Sequence, residues 1–347
     1  MLDELAKSTS QWLKGTGPES EIVISSRVRF ARNIDDIPFS HWGNEKNKEE
    51  VLDRFKKTTN KSDYFKNWYL LQMQDITDID RQFLVERHVM SREHMVELQG
   101  KALFLDPEQR SSIMINEEDH LRIQVITSGF DLKSCHETIN EIDDKLSKTL
   151  NFAYSTSFGY LTACPTNTGT GMRASVMLHL PALVLSKEVS RILETIVKLR
   201  FAIRGLYGEG SEASGNFFQI SNQFTLGRTE EDIIEDIERV TNQIIFREKA
   251  LRERLIKDNK TLLSDKIWRA YGVLKNAYVI TSDETIKLLS LVRLGRDLGI
   301  IKGLSTEDLN RLFISTQPAH LQKIENKKLS ANERDVKRAE LVRSALV

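Results

Sequence analysis

An α+β fold, with helices packed on a mostly antiparallel sheet and a helical region at the C-terminal end, is what this sequence predicts. Three observations carry that expectation. Short β-prone runs recur through the first two-thirds of the chain, stretches with apolar residues at helical spacing lie between them, and beyond a boundary at 255–264 only helical patterns remain. In chain order, the runs at 22–26, 102–105, 112–115, 121–127, 173–180 and 217–221 read as strands. The segments 131–150 and 186–201 read as helices. Thr229-Glu230-Glu231-Asp232 is a capping box opening a long helix through Arg254. Thr281-Ser282-Asp283-Glu284 opens another, and Ser305 can cap a helix that starts near Thr306. The domain reading is therefore an N-terminal segment 1–21, a main domain 22–254 and a helical domain 255–347.

At 347 residues and 40% hydrophobic, the chain can bury a sizeable core without staples. Lys plus Arg and Asp plus Glu are both 50, so no overall positive field draws it to nucleic acid or to an anionic membrane. Cys135 and Cys164 are too few for a disulfide framework, which suits a reducing cytoplasm. Met1-Leu2-Asp3-Glu4-Leu5 lacks the basic start of a secretory signal, and no apolar run reaches membrane-spanning length. A soluble, cytoplasmic protein is expected.

Four short segments concentrate arginines, carboxylates and glycines: Ser25-Ser26-Arg27-Val28-Arg29, Glu117 to Arg122, Cys164 to Ser175, and Arg204-Gly205-Leu206-Tyr207-Gly208-Glu209-Gly210. Arg27 and Arg29, two apart at the end of a strand, project to one face, where they bracket an anion or form a solvated strand edge. Glu118 and Arg122, four apart, share a face as partners of a ligand or of each other. The glycines of 164–175 specify an irregular loop but leave Arg173 unexplained. Cys164 is either an activated thiol or a small apolar residue. A P-loop starting at Gly210 would need Lys after Gly215, where Asn216 stands, and neither H-R-D nor D-F-G occurs. Arginine matches phosphate oxygens with paired, charge-assisted hydrogen bonds, and carboxylates match a guanidinium. A phosphate donor and a guanidinium acceptor are the ligands such a set would hold.

Together and in this order, the four segments resemble the signatures of the phosphagen (guanidino) kinase family. The resemblance implies a glutamine-synthetase-like catalytic domain, an antiparallel sheet flanked by helices. Arg27, Arg29, Arg122, Arg173 and Arg204 would bind the phosphates of ATP, with Ser25, Ser26 and Val28 lining that pocket. Ala174, Ser175, Val176 and Met177, together with Gly205, Leu206, Tyr207 and Gly208, would add nucleotide contacts, and His88 resembles the family's nucleotide-side histidine. Glu118 and Glu209 would grip the acceptor guanidinium, either one serving as base, and Cys164 matches the active-site cysteine. Mg2+ would accompany ATP.

The small-molecule members have a substantial helical domain before the serine-arginine motif, whereas here only residues 1–24 precede it. Arg334-Asp335-Val336-Lys337-Arg338-Ala339 resembles the R-D-x-x-R-A motif of the McsB subgroup, the bacterial protein-arginine kinases, and Gln11-Trp12 and Gly17-Pro18-Glu19-Ser20 fit it as well. By spacing alone, Arg334 and Arg338 read as a charged helix face. The resemblance implies instead a phosphoarginine-sensing pocket of Arg334, Asp335, Arg338 and Ala339. It further implies protein substrates with exposed arginine, marking for a Clp-type chaperone-protease under stress, a zinc-finger activator of the McsA kind, and a homodimer or higher oligomer. A kinase for a free guanidino compound and a catalytically idle phosphoarginine-binding adaptor are the alternatives.

Overall fold

The computed structural model describes residues 2–205 and 214–346. In chain order its elements are α1 (Leu2–Lys7), β1 (Val23–Arg32), α2 (Glu45–Thr59), β2 (Tyr69–Gln72), α3 (Asp78–Glu86), β3 (Ala102–Leu105), β4 (Ser111–Ile115) and β5 (Leu121–Ser128). There follow α4 (Leu132–Ser147), the short hairpin strands β6 (Tyr154–Ser155) and β7 (Gly159–Tyr160), β8 (Met172–His179), α5 (Pro181–Leu185), α6 (Val189–Lys198), β9 (Phe201–Arg204) and β10 (Phe217–Asn222). Helices complete the chain: α7 (Glu230–Asn276), α8 (Ser282–Asp297), α9 (Thr306–Ser315), α10 (Pro318–Ile324) and α11 (Ala331–Ala345).

Eight strands form one sheet in the order β2-β3-β4-β5-β1-β8-β10-β9, every neighbouring pair antiparallel. Its alternation sorts the side chains onto two faces. Val28, Phe30, Ile123, Val125, Ala174, Val176 and Ile220 are fully buried on one face, in a core shared with Leu132, Ile139 and Ile142 of α4 and Ile237 and Ile244 of α7. The opposite face has a split character. At one end Ile126, Met177 and Phe217 pack with Trp12 and with Leu289, Val292, Leu309 and Phe313 of the C-terminal helices. The other end of that face carries arginines.

The caps form as expected. Thr229 and Asp232 make a reciprocal box, and the Thr281 and Ser305 side chains accept from the amides of Glu284 and Asp308. Two helix ends differ from the sequence reading, and helix α2 was not expected. The helix expected through Arg254 continues to Asn276, with a kink at Asn259 (φ −139°, ψ 32°) where two helices meet inside the window 255–264. The helix expected over 186–201 spans only Val189–Lys198, because Arg200 turns into the left-handed region (φ 63°) and Phe201 begins the edge strand β9. Helix α2 escaped the pattern because its sequence is mostly charged, and Val51, Leu52 and Phe55, all buried, are its only apolar residues.

Candidate active site

Cross-strand register explains why residues far apart in sequence share one surface. Residues directly opposite in an antiparallel pair point to the same side. Arg29 lies opposite both Gln124 and Arg173, Ala31 opposite Arg122, Arg27 opposite Ser175, and Gln219 opposite Arg204. All five arginines therefore emerge on the same face, from β1, β5, β8 and β9. Arg29 is buried and the other four are half-buried. Arg27 Nη2 donates to Gln219 Oε1 (2.9 Å), and Arg173 donates to Ser221 Oγ from Nε (3.2 Å) and Nη2 (3.0 Å). Burial, followed by repulsion from Arg122, Arg173 and Arg204, brings the Arg27 guanidinium down to about 10. Burial and the same neighbours, with Arg27 added, push Arg29 well below its ordinary value. Arg29 Nε is buried and has no hydrogen-bond partner among the described residues. Such a concentration of cations is stabilised by a polyanion.

The facing wall is built by the turn between β4 and β5. Asn116 adopts φ 61° there, and its side-chain amide donates to the carbonyls of Lys48 and Gly100 (both 2.8 Å), which pins the turn. Three consecutive carboxylates then take three separate directions. Glu117 turns inward and takes Arg122 Nη1 on both oxygens (2.7 and 2.8 Å), with Ser91 Oγ (2.7 Å) and the Glu118 amide (3.0 Å) also donating to it. Burial would raise its carboxyl, but the Arg122 charge and these donors hold it at about 2. Asp119 accepts from Asn33 Nδ2 and from the Ala163 amide (both 2.7 Å), tying the loop that carries Cys164 to the end of β1. Glu118 alone is exposed, lining the cleft, where partial desolvation and its neighbours Asp119 and Glu117 raise its carboxyl above the ordinary value.

These walls enclose a cleft of about 560 Å³, with Arg29, Arg122, Arg173 and Arg204 against Glu93, Glu117, Glu118 and Asp119. Cys164 reaches the rim, its Sγ 3.0 Å from Thr166 Oγ1. Gly171 (φ 66°) leads the loop into β8, and a Cβ there would stand 2.7 Å from the Ala31 carbonyl, so glycine is what allows Arg173 to enter the sheet beside Arg29.

Of the two readings of Glu118 and Arg122, an ion pair between them does not form: Glu117 holds Arg122, and Glu118 is left facing the cleft. Strand periodicity would have found Glu117 only once the turn was known. The side chains of Ser26, Val28, Ala174 and Val176 point away from the arginine face and are fully buried, so they do not line the cleft. Ser25, Ser175, Met177 and His88 lie past Arg27 in a second pocket on the same face. Burial, with the Arg27 charge added, lowers His88 to about 3, so it is neutral at physiological pH. Gly205 is buried directly after β9. Leu206, Tyr207, Gly208 and Glu209 lie outside the described residues.

The C-terminal motif lies on α11, far in sequence from the cleft. Arg338 is buried and donates from Nε to the Thr316 carbonyl (2.8 Å) and from Nη1 to that of Ile280 (3.0 Å), and pairs with Asp335. Ala339 belongs to the core beneath. Arg334 and Asp335 are half-buried, and Arg334 Nη1 donates to the Leu329 carbonyl (2.8 Å). Among the described residues, no group of three or more His, Cys, Asp or Glu could hold a metal ion, and no helix is long and apolar enough to cross a membrane.

Residues 48–251 match the family described as ATP:guanido phosphotransferase, C-terminal catalytic domain, and residues 259–347 match the protein-arginine kinase McsB C-terminal domain. The chain is 47% identical over 344 residues to a protein-arginine kinase of Halothermothrix orenii, covering 99% of this chain and 98% of that one. It is 46% identical to a protein-arginine kinase of Bacillus cereus, covering 98% of this chain and 96% of the other. Among solved structures it resembles a duplicated taurocyamine kinase from Schistosoma mansoni with bound transition-state-analogue components (TM-score 0.62, 26% identity, 68% of this chain and 34% of the other). A lombricine kinase shares the fold (TM-score 0.61, 23% identity, 69% of each chain).

Proposed function

This chain belongs to the ATP:guanido phosphotransferase family, within it to the protein-arginine kinases, and we propose that it transfers the γ-phosphoryl group of ATP to arginine guanidinium groups in proteins. The observation that supports this reaction is the cleft itself: Arg29, Arg122, Arg173 and Arg204, with Arg27 beside them on the same sheet face, opposite a carboxylate with a raised pKa. Phosphoryl transfer asks a protein mainly for alignment and charge neutralisation. Arg27, Arg29, Arg122, Arg173 and Arg204 supply both for the phosphate chain. Magnesium enters as part of the Mg–ATP substrate, held by phosphate oxygens and water rather than by a protein cage.

The acceptor guanidinium is a weak nucleophile while protonated. Glu118 faces the phosphate wall, orients the guanidinium through paired hydrogen bonds, and accepts its proton as the N–P bond forms and the bond from the γ-phosphorus to the bridging oxygen breaks. Its raised pKa suits a proton acceptor working near neutrality. Glu209, matched to the family's second carboxylate, would complete the clamp. Glu117 does not touch the acceptor in this scheme: it fixes the Arg122 fork.

Arg334, Asp335, Arg338 and Ala339 are proposed as a phosphoarginine-sensing pocket. Because Arg338 also holds the carbonyls of Thr316 and Ile280, its substitution would confound sensing with stability. Arg334→Ala with Asp335→Ala is the cleaner test, and unchanged phosphoarginine affinity and unchanged activity would remove the proposal. A homodimer or higher oligomer, an activator of the McsA zinc-finger kind, a Clp-type chaperone-protease acting on the product, and a cytoplasmic, stress-response setting rest on the resemblance alone.

The deciding experiment supplies Mg–ATP with casein and, separately, with free arginine, and scores acid-labile phosphoarginine by mass spectrometry at neutral pH. Label on protein alone supports the proposal. Label on free arginine alone returns the chain to small-guanidine chemistry, and none in either favours an adaptor.

A further inference from the structure

We infer that Trp12 binds the base of the nucleotide, its indole N–H donating a hydrogen bond to a ring nitrogen of a purine lodged between the sheet and the C-terminal helices. The inference rests on the reading of the cleft as a nucleotide site.

Direction along β1 places the base. The transferred phosphate must lie beside Glu118 and therefore near Arg29, so the rest of the nucleotide runs away from the carboxylates, past Arg27 and towards Ser25. Each of those steps is two residues, about 7 Å of extended strand. The end of that path is the second pocket, which is predominantly apolar and bounded by Trp12, His88, Met177, Phe217 and Phe313, with Arg27 at its inner edge. Apolar walls with few polar groups suit a flat heteroaromatic ring. The free volume, about 40 Å³, is less than a purine fills, and the wall best able to yield is the unbranched, flexible Met177 side chain.

Trp12 stands out within this lining. It lies in a single 3-10 turn, Gln11–Leu13, held by Asn310 Nδ2 donating to the Leu13 carbonyl (2.9 Å), and its ring meets His88 edge-on at 5.4 Å. The side chain is 4% exposed, yet Nε1 has no hydrogen-bond acceptor among the described residues. Buried indole N–H groups ordinarily find a partner. Because an indole N–H only donates, what satisfies it must present an acceptor, and a purine ring nitrogen does so. Gln11-Trp12, which no part of the phosphoryl-transfer scheme uses, thereby acquires a role.

The test measures Kd by calorimetry on the full chain with magnesium complexes of ATP and of its 1-deaza, 3-deaza and 7-deaza analogues. Wild-type protein should bind one analogue about five- to tenfold more weakly than ATP, the worth of one hydrogen bond, and Trp12→Phe should bind ATP and that analogue equally. Should Trp12→Phe fail to fold, benzothienylalanine at position 12 keeps the ring's shape without the N–H and reports the same difference. No discrimination among analogues by wild type, unchanged ATP affinity in either variant, or an equal loss for ATP and all analogues, which is a packing effect, would overturn the inference and leave the kinase reading intact. If wild-type protein bound no nucleotide at all, both would fall, and the casein assay would agree.

Discussion

Glu117 and Glu118 are neighbours in sequence with opposite electrostatics, and the difference between them is the sharpest residue-scale result. Glu118→Gln keeps the shape of the side chain and removes the proton acceptor. Turnover should fall by about 10²–10⁴-fold with ATP affinity retained, checked by steady-state kinetics and calorimetry. The proposed role requires ionised Glu118, whose pKa is raised, so the acidic limb of the kcat/KM profile should lie higher than an unperturbed glutamate would place it and vanish in the variant. Glu117 works in the opposite sense. Its folded pKa of about 2 lies below the ordinary value of 4.5, so the paired carboxylate contributes stability that is fully present above that unfolded value and lost as pH falls from there through about 2. Glu117→Gln should cost about 3 kcal/mol at pH 7, with the deficit shrinking below pH 4.5; thermal melts across pH check it. Glu118 was legible because its motif marks it. Glu117 was not, because its role depends on a turn that points it inward at Arg122.

At the scale of elements, the cradle depends on where β8 begins. Gly171 sits at φ 66° against the Ala31 carbonyl, so Gly171→Ala carries a left-handed penalty of about 1–2 kcal/mol as well as a 2.7 Å contact. The expected outcome is a lower Tm and, because Arg173 shifts relative to Arg29, a kcat/KM lowered by about tenfold or more, measured on the same preparation. The strands read at 102–105, 121–127 and 217–221, which form as 102–105, 121–128 and 217–222, were legible because their apolar residues are buried on the sheet. Strand β9 was not: Phe201 to Arg204 are only half-buried, on an edge, and follow a helix whose pattern runs into them. Helix α2 was hidden by its charge.

On the scale of the whole molecule, the C-terminal helices cover the sheet rather than stand apart from it. Phe217 meets Phe313 edge-on at 4.8 Å, and Ile126, Met177 and Phe217 lie in one core with α8 and α9. Glu86 at the end of α3 accepts from the amides of Ala319 (2.9 and 3.1 Å) and His320 (3.0 Å) and from His320 Nδ1 (2.9 Å), joining α10 to the segment that carries His88. A chain ending at residue 258 should therefore expose this apolar face and be recovered as aggregated or dye-binding material, measured by solubility and hydrophobic-dye fluorescence. A soluble, nucleotide-binding 1–258 fragment would show that the helices are dispensable to the fold.

The sequence by itself determined the fold class, the caps of α7, α8 and α9, and the identity of the five arginines and Glu118, because periodicity, capping and short motifs are local properties. Only the tertiary structure decided which face each side chain took, which glutamate held Arg122, and that Trp12 and the C-terminal helices enclose the pocket beyond Arg27. Those outcomes depend on strand register and on contacts between residues far apart in the chain, as from Asn310 to Leu13, 297 positions away, and no local pattern encodes them.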